Sequence, residues 1–130
     1  MTNETAIRAA YEAWSRRDID GLLAVVHPDA EARPILGANI GTSVYYGHDG
    51  LRQWFKDLHQ EWETFETRIT RIDERADRAV CTFAVHARGR ASGVVIDGEL
   101  YHLLDMRDGH ILRLEAFQDR EAAMKALEAS

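Results

Sequence analysis

The sequence predicts an α+β domain in which helices cover one face of a curved antiparallel sheet. Apolar residues at helical spacing are confined to the first half of the chain and to its last ten residues, whereas strand-like alternation fills residues 65–117. Short turns separate the strand-like runs, which favours a meander. The 130 residues suffice for one domain with a sizeable core and are too few for two.

Two helices are predicted at the start of the chain. The first lies within Thr5–Arg17, and its apolar positions follow the i, i+3, i+4, i+7 pattern at Ile7, Ala10, Tyr11 and Trp14. A short second helix begins at Asp18, and we expect His27-Pro28-Asp29 to end it because proline cannot continue an established helix. A weak strand is predicted over Ala30–Leu36.

The middle of the chain is predicted to be a loop followed by a third helix. Gly37–Gly50 is rich in glycine, with a short strand expected at Ser43–Tyr46. Asp49 or its neighbour is expected to cap the helix. The apolar stripe of that helix consists of Leu51, Trp54, Phe55, Leu58 and Trp62.

The second half of the chain is predicted to form four strands and a closing helix. The strands are Phe65–Asp73, Arg78–Arg88, Gly93–Arg107 and Ile111–Phe117. The helix is Arg120–Ala129, which is rich in alanine and glutamate.

The last two strands carry the most informative pattern. Asp108-Gly109 predicts a two-residue hairpin turn with Arg107 opposite His110. A regular ladder then sets His102 opposite Glu115, Leu104 opposite Arg113 and Leu100 opposite Phe117. One face would carry Leu100, His102, Leu104, Met106, Ile111, Arg113, Glu115 and Phe117. A His, a Glu and an Arg on an otherwise apolar face could form the polar end of a small-molecule pocket.

Two other interpretations of this hairpin are open. Arg113 and Glu115 could lie on a solvated face while Tyr101, Leu103, Leu112, Leu114 and Ala116 pack the core. Alternatively, a one-residue bulge at Gly109 would shift the register and set His102 opposite Leu114.

Composition and charge exclude several classes of function. The net charge of −6 and the absence of a basic run argue against a general affinity for nucleic acid or anionic membranes. The start of the chain is polar and no apolar run is long enough to span a membrane, so a cytoplasmic protein is expected. The lone Cys81 is expected to be a buried structural thiol, and the six scattered histidines predict no metal site.

Three segments resemble the nuclear transport factor 2-like superfamily, in particular its SnoaL-like and ketosteroid isomerase-like branch. They are YEAWSRRDIDGLLAVVHPDAE, YGHDGLRQWF and LLDMRDGHILRLEAFQDREAAMKAL, which occur in the family's order. The resemblance implies one cone-shaped SnoaL-like domain over residues 1–130, with the helices on the concave face of an antiparallel or mixed sheet. Tyr11, Trp14, Trp54 and Phe55 would then line or close the cone.

The same resemblance bears on the site residues. An aspartate lies seven residues before the turn glycine in SnoaL-like cyclases, and the same count from Gly109 reaches His102, which supports a His102 that faces the pocket. In the isomerases the general base is an aspartate that directly precedes a proline. Arg33 stands at that position here, so steroid isomerisation is not expected. Leu100 stands where the related epoxide hydrolases carry an arginine.

These observations give two functional hypotheses. In the first, His102 oriented by Glu115 is a general acid or base on a small apolar carbonyl or hydroxyl compound, Arg113 holds an anionic oxygen, and no cofactor is needed. Isomerisation, dehydration and polyketide cyclisation are reactions of this kind. The pocket would also include Leu100, Leu104 and Phe117, and His86 if the strand register allows it. In the second, the domain only binds a ligand or is purely structural.

A homodimer is also expected. The helices can cover only one face of the sheet, and the opposite face of the final hairpin would expose Tyr101, Leu103, Leu112 and Leu114.

Overall fold

The computed structural model describes residues 2–34 and 44–129. In chain order the elements are α1 (Asn3–Ser15), α2 (Ile19–Leu23), β1 (Val26–Arg33), β2 (Tyr45–Tyr46), α3 (Gly47–Glu61), β3 (Trp62–Arg75), β4 (Arg78–Gly89), β5 (Val95–Arg107), β6 (His110–Phe117) and α4 (Arg120–Glu128). In the described part of the chain, no helix has the length and apolar character that a bilayer crossing requires.

The six strands form one mixed sheet in the order β2-β1-β6-β5-β4-β3. β1 runs parallel to β6, and every other neighbouring pair is antiparallel. One buried core joins α1, α2 and α3 to the face of the sheet that carries Phe83 and Leu104, which we call the inner face. The predicted α+β class, with helices on one face of a curved sheet, is confirmed.

The first two helices have conventional caps. The Thr2 hydroxyl accepts a hydrogen bond from the Thr5 backbone N–H at 3.1 Å, and the Asp18 carboxylate accepts one from Gly21 at 3.0 Å. The second helix ends sooner than predicted, because β1 already begins at Val26 and includes Pro28. Pairing of β1 with β6 is interrupted between Val26 and Glu31, so Pro28 costs no ladder hydrogen bond there.

The third helix begins at Gly47, before the predicted cap at Asp49, and is preceded by the two-residue strand β2. β2 pairs with β1, with Tyr46 opposite Glu31, and a hydrogen bond of 2.8 Å joins His48 Nε2 to the Val26 carbonyl. These contacts hold the first turn of α3 against β1. Of the loop predicted over Gly37–Gly50, residues 37–43 lie outside the described residues.

The hairpin turn between β5 and β6 is as predicted, but the ladder behind it is not. Asp108 and Gly109 have φ values of 53° and 76°, and Arg107 pairs with His110. Met106 then pairs with Ile111, whereas Asp105 pairs with Arg113. Leu112 is therefore an extra residue in a β-bulge of β6.

This bulge overturns the predicted pairing of His102 with Glu115. Beyond Leu112 every side chain of β6 has changed face relative to a regular ladder. His102 pairs with Ala116, and Leu104 pairs with Leu114. The alternative with a bulge at Gly109 is also wrong, since it set His102 opposite Leu114. Arg113, Glu115 and Phe117 consequently lie on the outer face of the sheet.

The closing helix α4 covers part of that outer face. Ala123 and Leu127 of α4 form a small second core with Val80 and Leu103, and Tyr101 and Phe117 pack against it. Arg78 fixes the helix by donating to the Ala126 carbonyl at 3.1 Å and to Asp105 at 2.6 Å. The apolar face expected to be open for a second copy is thus partly filled by the chain's own last helix, and Leu114 has turned inward.

Candidate functional site

A cavity lies between the helices and the inner face of the sheet, and the centre of a water-sized sphere can move within about 70 Å³ of it, so the cavity itself is larger. Its wall is mostly aliphatic and aromatic, and four of the residues predicted to line a pocket are in it: Tyr11, Trp14, Trp54 and Leu100. Trp14 and Trp54 are in ring contact, with centroids 4.6 Å apart. The Glu31 carboxylate is paired with Arg33 and Arg113 on the outer face of the sheet, although Glu31 is among the described lining residues. The other polar side-chain groups of those residues are few: the Tyr11 hydroxyl, His102, Thr67 and the indole N–H groups of Trp14 and Trp54, of which the Trp54 N–H is buried without a partner. Such a cavity suits a largely apolar molecule oriented by a few hydrogen bonds.

The other predicted pocket residues lie outside the cavity lining. Leu104 is on the inner face but is completely buried in the core. Phe55 packs its ring against Trp14 and His59. Phe117 is on the outer face beside α4, and His86 has an exposed side chain whose Nδ1 is 3.9 Å from Asp97.

Tyr11 and His102 form the principal polar contact of the cavity. The Tyr11 hydroxyl on α1 lies 2.5 Å from His102 Nδ1 on β5. Phe83 on the neighbouring strand packs against both rings, with centroid distances of 5.3 Å to Tyr11 and 4.5 Å to His102. The Cys81 thiol, directly across the ladder from His102, also contacts the Tyr11 hydroxyl. Three elements therefore hold the imidazole in place.

Burial keeps this group of side chains uncharged. Desolvation lowers the pKa of His102 to about 3 and raises the pKa of Tyr11 well above its usual value of 10.0. Desolvation likewise raises the pKa of Cys81 to about 12. His102 keeps some accessible surface and lines the cavity. At neutral pH the imidazole is therefore neutral, and the phenol and thiol keep their protons.

The chemistry of the pair assigns the histidine tautomer. A phenol is a strong hydrogen-bond donor and an unprotonated imidazole nitrogen is a strong acceptor, so we assign the Tyr11 O–H as donor to His102 Nδ1. The ring proton then resides on Nε2. Since no other hydrogen bond to His102 occurs in the described part of the chain, the Nε2–H is the donor that His102 retains for a ligand.

A second polar contact lies farther along α1. Ser15 Oγ accepts a hydrogen bond from the Thr67 backbone N–H at 3.0 Å, and it lies 3.1 Å from both the carbonyl oxygen and Oγ1 of Thr67. β3 is an edge strand, so these backbone groups of Thr67 have no strand to pair with on that side. Ser15 supplies the missing partners, and Thr67 lines the cavity.

The predicted cluster of His102, Glu115 and Arg113 is not formed. Arg113 and Glu115 lie on the outer face, where Arg113 Nη2 is 3.8 Å from Glu115 and Arg113 Nε is 3.4 Å from Glu31. Arg33 completes this outer charge cluster, with its Nε 2.9 Å from Glu31. Neither Arg113 nor Glu115 is among the lining residues of the cavity. Within the described residues, no group of His, Cys, Asp and Glu could hold a metal ion.

Comparison with known proteins identifies the family. The profile of the SnoaL-like domain matches residues 7–114, which is most of the chain. The chain belongs to the SnoaL-like family. No curated protein matches it.

Solved structures support the same assignment. The TerC structure, co-crystallised with polyporic acid, is similar to this SnoaL-like domain at 26% identity and a TM-score of 0.78, over 98% of each chain. A Pseudomonas putida protein designated a candidate polyketide cyclase has 17% identity and a TM-score of 0.77, over 93% of this chain and 94% of that one. A ketosteroid isomerase-like protein from Catenulispora acidiphila, in complex with trimethylamine, has 14% identity and a TM-score of 0.76, over 96% and 93%. The last two show the shared fold.

Sequence reasoning missed several residues of the site of this SnoaL-like domain. Phe65, Thr67 and Phe83 line the cavity, and Tyr11 is the partner of His102. Strand alternation on β4 and β5 could have placed Phe83 near His102, because both strands are long and regular. The contact of Tyr11 with His102 had no local signal, since it joins two elements that are distant in the sequence.

Proposed function

We propose that this SnoaL-like domain binds a flat, largely apolar aromatic carbonyl compound and that His102 Nε2–H donates a hydrogen bond to its carbonyl oxygen. The observation that carries the proposal is the 2.5 Å contact between Tyr11 and His102 in an apolar cavity. That contact orients the ring and fixes the donor tautomer. The likeness to TerC, which was crystallised with polyporic acid, supports an aromatic ligand that bears oxygen.

A neutral imidazole in such a site favours enol-forming chemistry. When a C–H bond next to a carbonyl loses its proton, negative charge develops on the oxygen, and a fixed donor in a poorly hydrated cavity stabilises that charge. The low pKa of His102 makes it a poor proton acceptor, so we assign it the role of donor to the oxygen and not of general base. Isomerisation and aldol cyclisation are reactions of this type, and neither requires a cofactor.

Matched variants of His102 test the binding role. The side-chain oxygen of Asn overlays Nδ1 and can accept from Tyr11, but it provides no donor at the Nε2 position; the amide nitrogen of Gln reaches the Nε2 position. With 2-acetonaphthone as probe, followed by quenching of Trp14 and Trp54 fluorescence, His102→Asn should weaken binding about tenfold and His102→Gln less. Equal affinity in the wild type and both variants would contradict the proposal.

Hydrogen–deuterium exchange tests the catalytic role separately. In D₂O the methyl protons of bound 2-acetonaphthone exchange if the site promotes enolisation, and NMR measures their loss without knowledge of the natural substrate. Exchange that is faster than in buffer and that falls in His102→Asn, but not in Glu115→Gln on the outer face, would support catalysis.

The alternative is a binding domain without turnover. The same geometry supports it, because a fold shared with enzymes does not establish a reaction. Tight binding of 2-acetonaphthone with exchange no faster than in buffer would favour it.

Self-association through the outer face is the second part of the proposal. Tyr46 is 63% exposed, and the outer charge cluster of Glu31, Arg33, Arg113 and Glu115 contains both signs, so two copies related by a two-fold axis can set opposite charges against each other. Light scattering on the chain and on an Arg113→Glu variant tests this, since the reversed charge should convert a dimer to a monomer.

A further inference from the structure

The cavity has a second polar position, formed by Thr67 and Ser15, that is separate from His102. Thr67 points to the inner face of β3, between the inward-facing Phe65 and Ile69. Its hydroxyl lies 3.1 Å from Ser15 Oγ, which is one helical turn beyond Tyr11 on α1. The same helix face thus supports both polar positions of the cavity, with Tyr11 at one and Ser15 at the other.

The hydrogen bonds around Ser15 determine what the Thr67 hydroxyl can offer. Ser15 has a single hydroxyl hydrogen, and the Thr67 carbonyl, which faces away from β4 at the sheet edge, is the acceptor for it at 3.1 Å. One Ser15 lone pair accepts from the Thr67 N–H at 3.0 Å, and the other can accept from Thr67 Oγ1–H. With its hydrogen used in this way, Thr67 Oγ1 presents only acceptor lone pairs to the cavity.

We infer that Thr67 is a specificity-determining residue that accepts a hydrogen bond from a hydroxyl or N–H group at the far end of the ligand. This inference rests on the proposed function, in which His102 donates to a carbonyl oxygen. The two ends of the cavity then have opposite hydrogen-bonding character. The ligand class is a hydroxy-aryl or amino-aryl carbonyl compound, with an acceptor at one end and a donor at the other.

The strand registers give the distance between the two positions. Thr67 pairs with Val85 on β4, whereas His102 on β5 pairs with Cys81, four residues earlier on β4. Four residues of strand and two strand spacings separate the Cα atoms by roughly 16 Å. Both side chains extend from the concave face and converge, so the Cα separation is an upper bound for their polar atoms. Two hydrogen bonds of about 2.9 Å then leave at most roughly 10 Å between the acceptor and donor atoms of the ligand, a span within the reach of a flat bicyclic compound.

Three related ketones test the inference: 2-acetonaphthone, its 6-hydroxy derivative and its 6-methoxy derivative. The hydroxy compound can donate to Thr67, whereas the methoxy compound cannot. The wild type should bind the hydroxy compound about three- to tenfold more tightly than the methoxy compound. Thr67→Val, which keeps the shape and removes the hydroxyl, should abolish this preference, and Thr67→Ser should retain it.

Two further variants separate recognition from fold stability. Thr70→Val removes a hydroxyl of the same strand that bonds to Glu99 on the outer face, and it should leave the preference unchanged. Ser15→Ala frees the Thr67 hydrogen to donate to a ligand oxygen, so the preference for hydroxy over methoxy should narrow. If Ser15 has only a structural role, Ser15→Ala should weaken the binding of both ketones equally. That result would overturn the inference.

Failure of this inference differs from failure of the proposed function. If the three ketones bind the wild type with equal affinity and His102→Asn weakens the binding of all three, the His102 proposal holds and the Thr67 inference is wrong. If His102→Asn weakens none of them, or the wild type binds none, the proposed function is wrong and the Thr67 inference falls with it.

Discussion

The Tyr11 hydroxyl lies 2.5 Å from Nδ1 of His102, a contact that joins the first helix to the fifth strand across 91 positions of the chain. It occupies the nitrogen of His102 that would otherwise compete for the proton, and so it leaves Nε2–H as a donor toward the cavity. Because phenol, imidazole and thiol are all uncharged at neutral pH, the contact needs no counter-ion. The site can therefore remain apolar and still direct one donor at a ligand.

Removal of the Tyr11 hydroxyl should affect both stability and the tautomer of His102. Tyr11→Phe keeps the ring packing against Phe83 but leaves the buried Nδ1 without a partner, so the free energy of unfolding should fall by about 1–3 kcal/mol. Urea unfolding measures this loss, and ¹⁵N chemical shifts of His102 report the tautomer. Tyr46→Phe, at a tyrosine that is 63% exposed, should change neither. Unchanged ¹⁵N shifts in Tyr11→Phe would show that the contact does not fix the tautomer.

Stability should fall as the pH is lowered from about 6.5 toward 3. The unfolded chain takes up a proton at His102 near pH 6.5, whereas the folded site stays neutral until about pH 3. Protonation thus favours unfolding throughout this window, by up to about 1.4 kcal/mol per pH unit for the one group. Tyr11 and Cys81, which contact His102 or each other, do not titrate there because their pKa values are raised.

Unfolding curves between pH 7 and pH 4 for the wild type and His102→Asn measure this slope. Asn cannot titrate, so the variant should lose much of the pH dependence. His59, whose pKa is also lowered by burial, contributes a slope of the same sign, which His59→Gln removes. His86→Gln serves as the control, since the side chain of His86 is 55% exposed. The same slope in the wild type and in His102→Asn would contradict a neutral, buried His102.

The sequence predicted the fold and one half of the site. Apolar spacing placed Tyr11 and Trp14 on one face of α1, and Asp108-Gly109 set the hairpin turn, because both signals are local. The bulge at Leu112 had no such signal. Leucine fits a regular strand as well as a bulge, so the register behind the turn depends on packing of Leu114 and Ala116 into the cavity and of Phe117 against α4.

Glu115 should have no role in ligand binding. Its carboxylate is on the outer face, 3.8 Å from Arg113, in an ion pair that is partly exposed to solvent. Glu115→Gln should therefore change the free energy of unfolding by less than about 1 kcal/mol and leave the affinity for 2-acetonaphthone unchanged. Fluorescence titration of Glu115→Gln beside His102→Asn measures the contrast. Equal loss of affinity in the two variants would contradict the bulge at Leu112 and favour the regular ladder, in which His102 pairs with Glu115.

Filling the cavity next to His102 should block binding at little cost in stability. Ala116 is the ladder partner of His102 and lines the cavity, so the added atoms of Ala116→Leu enter free space. Affinity for 2-acetonaphthone should fall more than about tenfold, while the free energy of unfolding changes by less than about 1 kcal/mol. Ala87→Leu is the matched comparison, because Ala87 is completely buried outside the cavity lining, and overpacking there should cost about 1–3 kcal/mol. Thermal or urea unfolding of both variants, with a ligand titration of each, separates the two sites. If Ala116→Leu destabilises the domain as much as Ala87→Leu does, Ala116 faces packed core, and the space beside His102 is too small for a ligand.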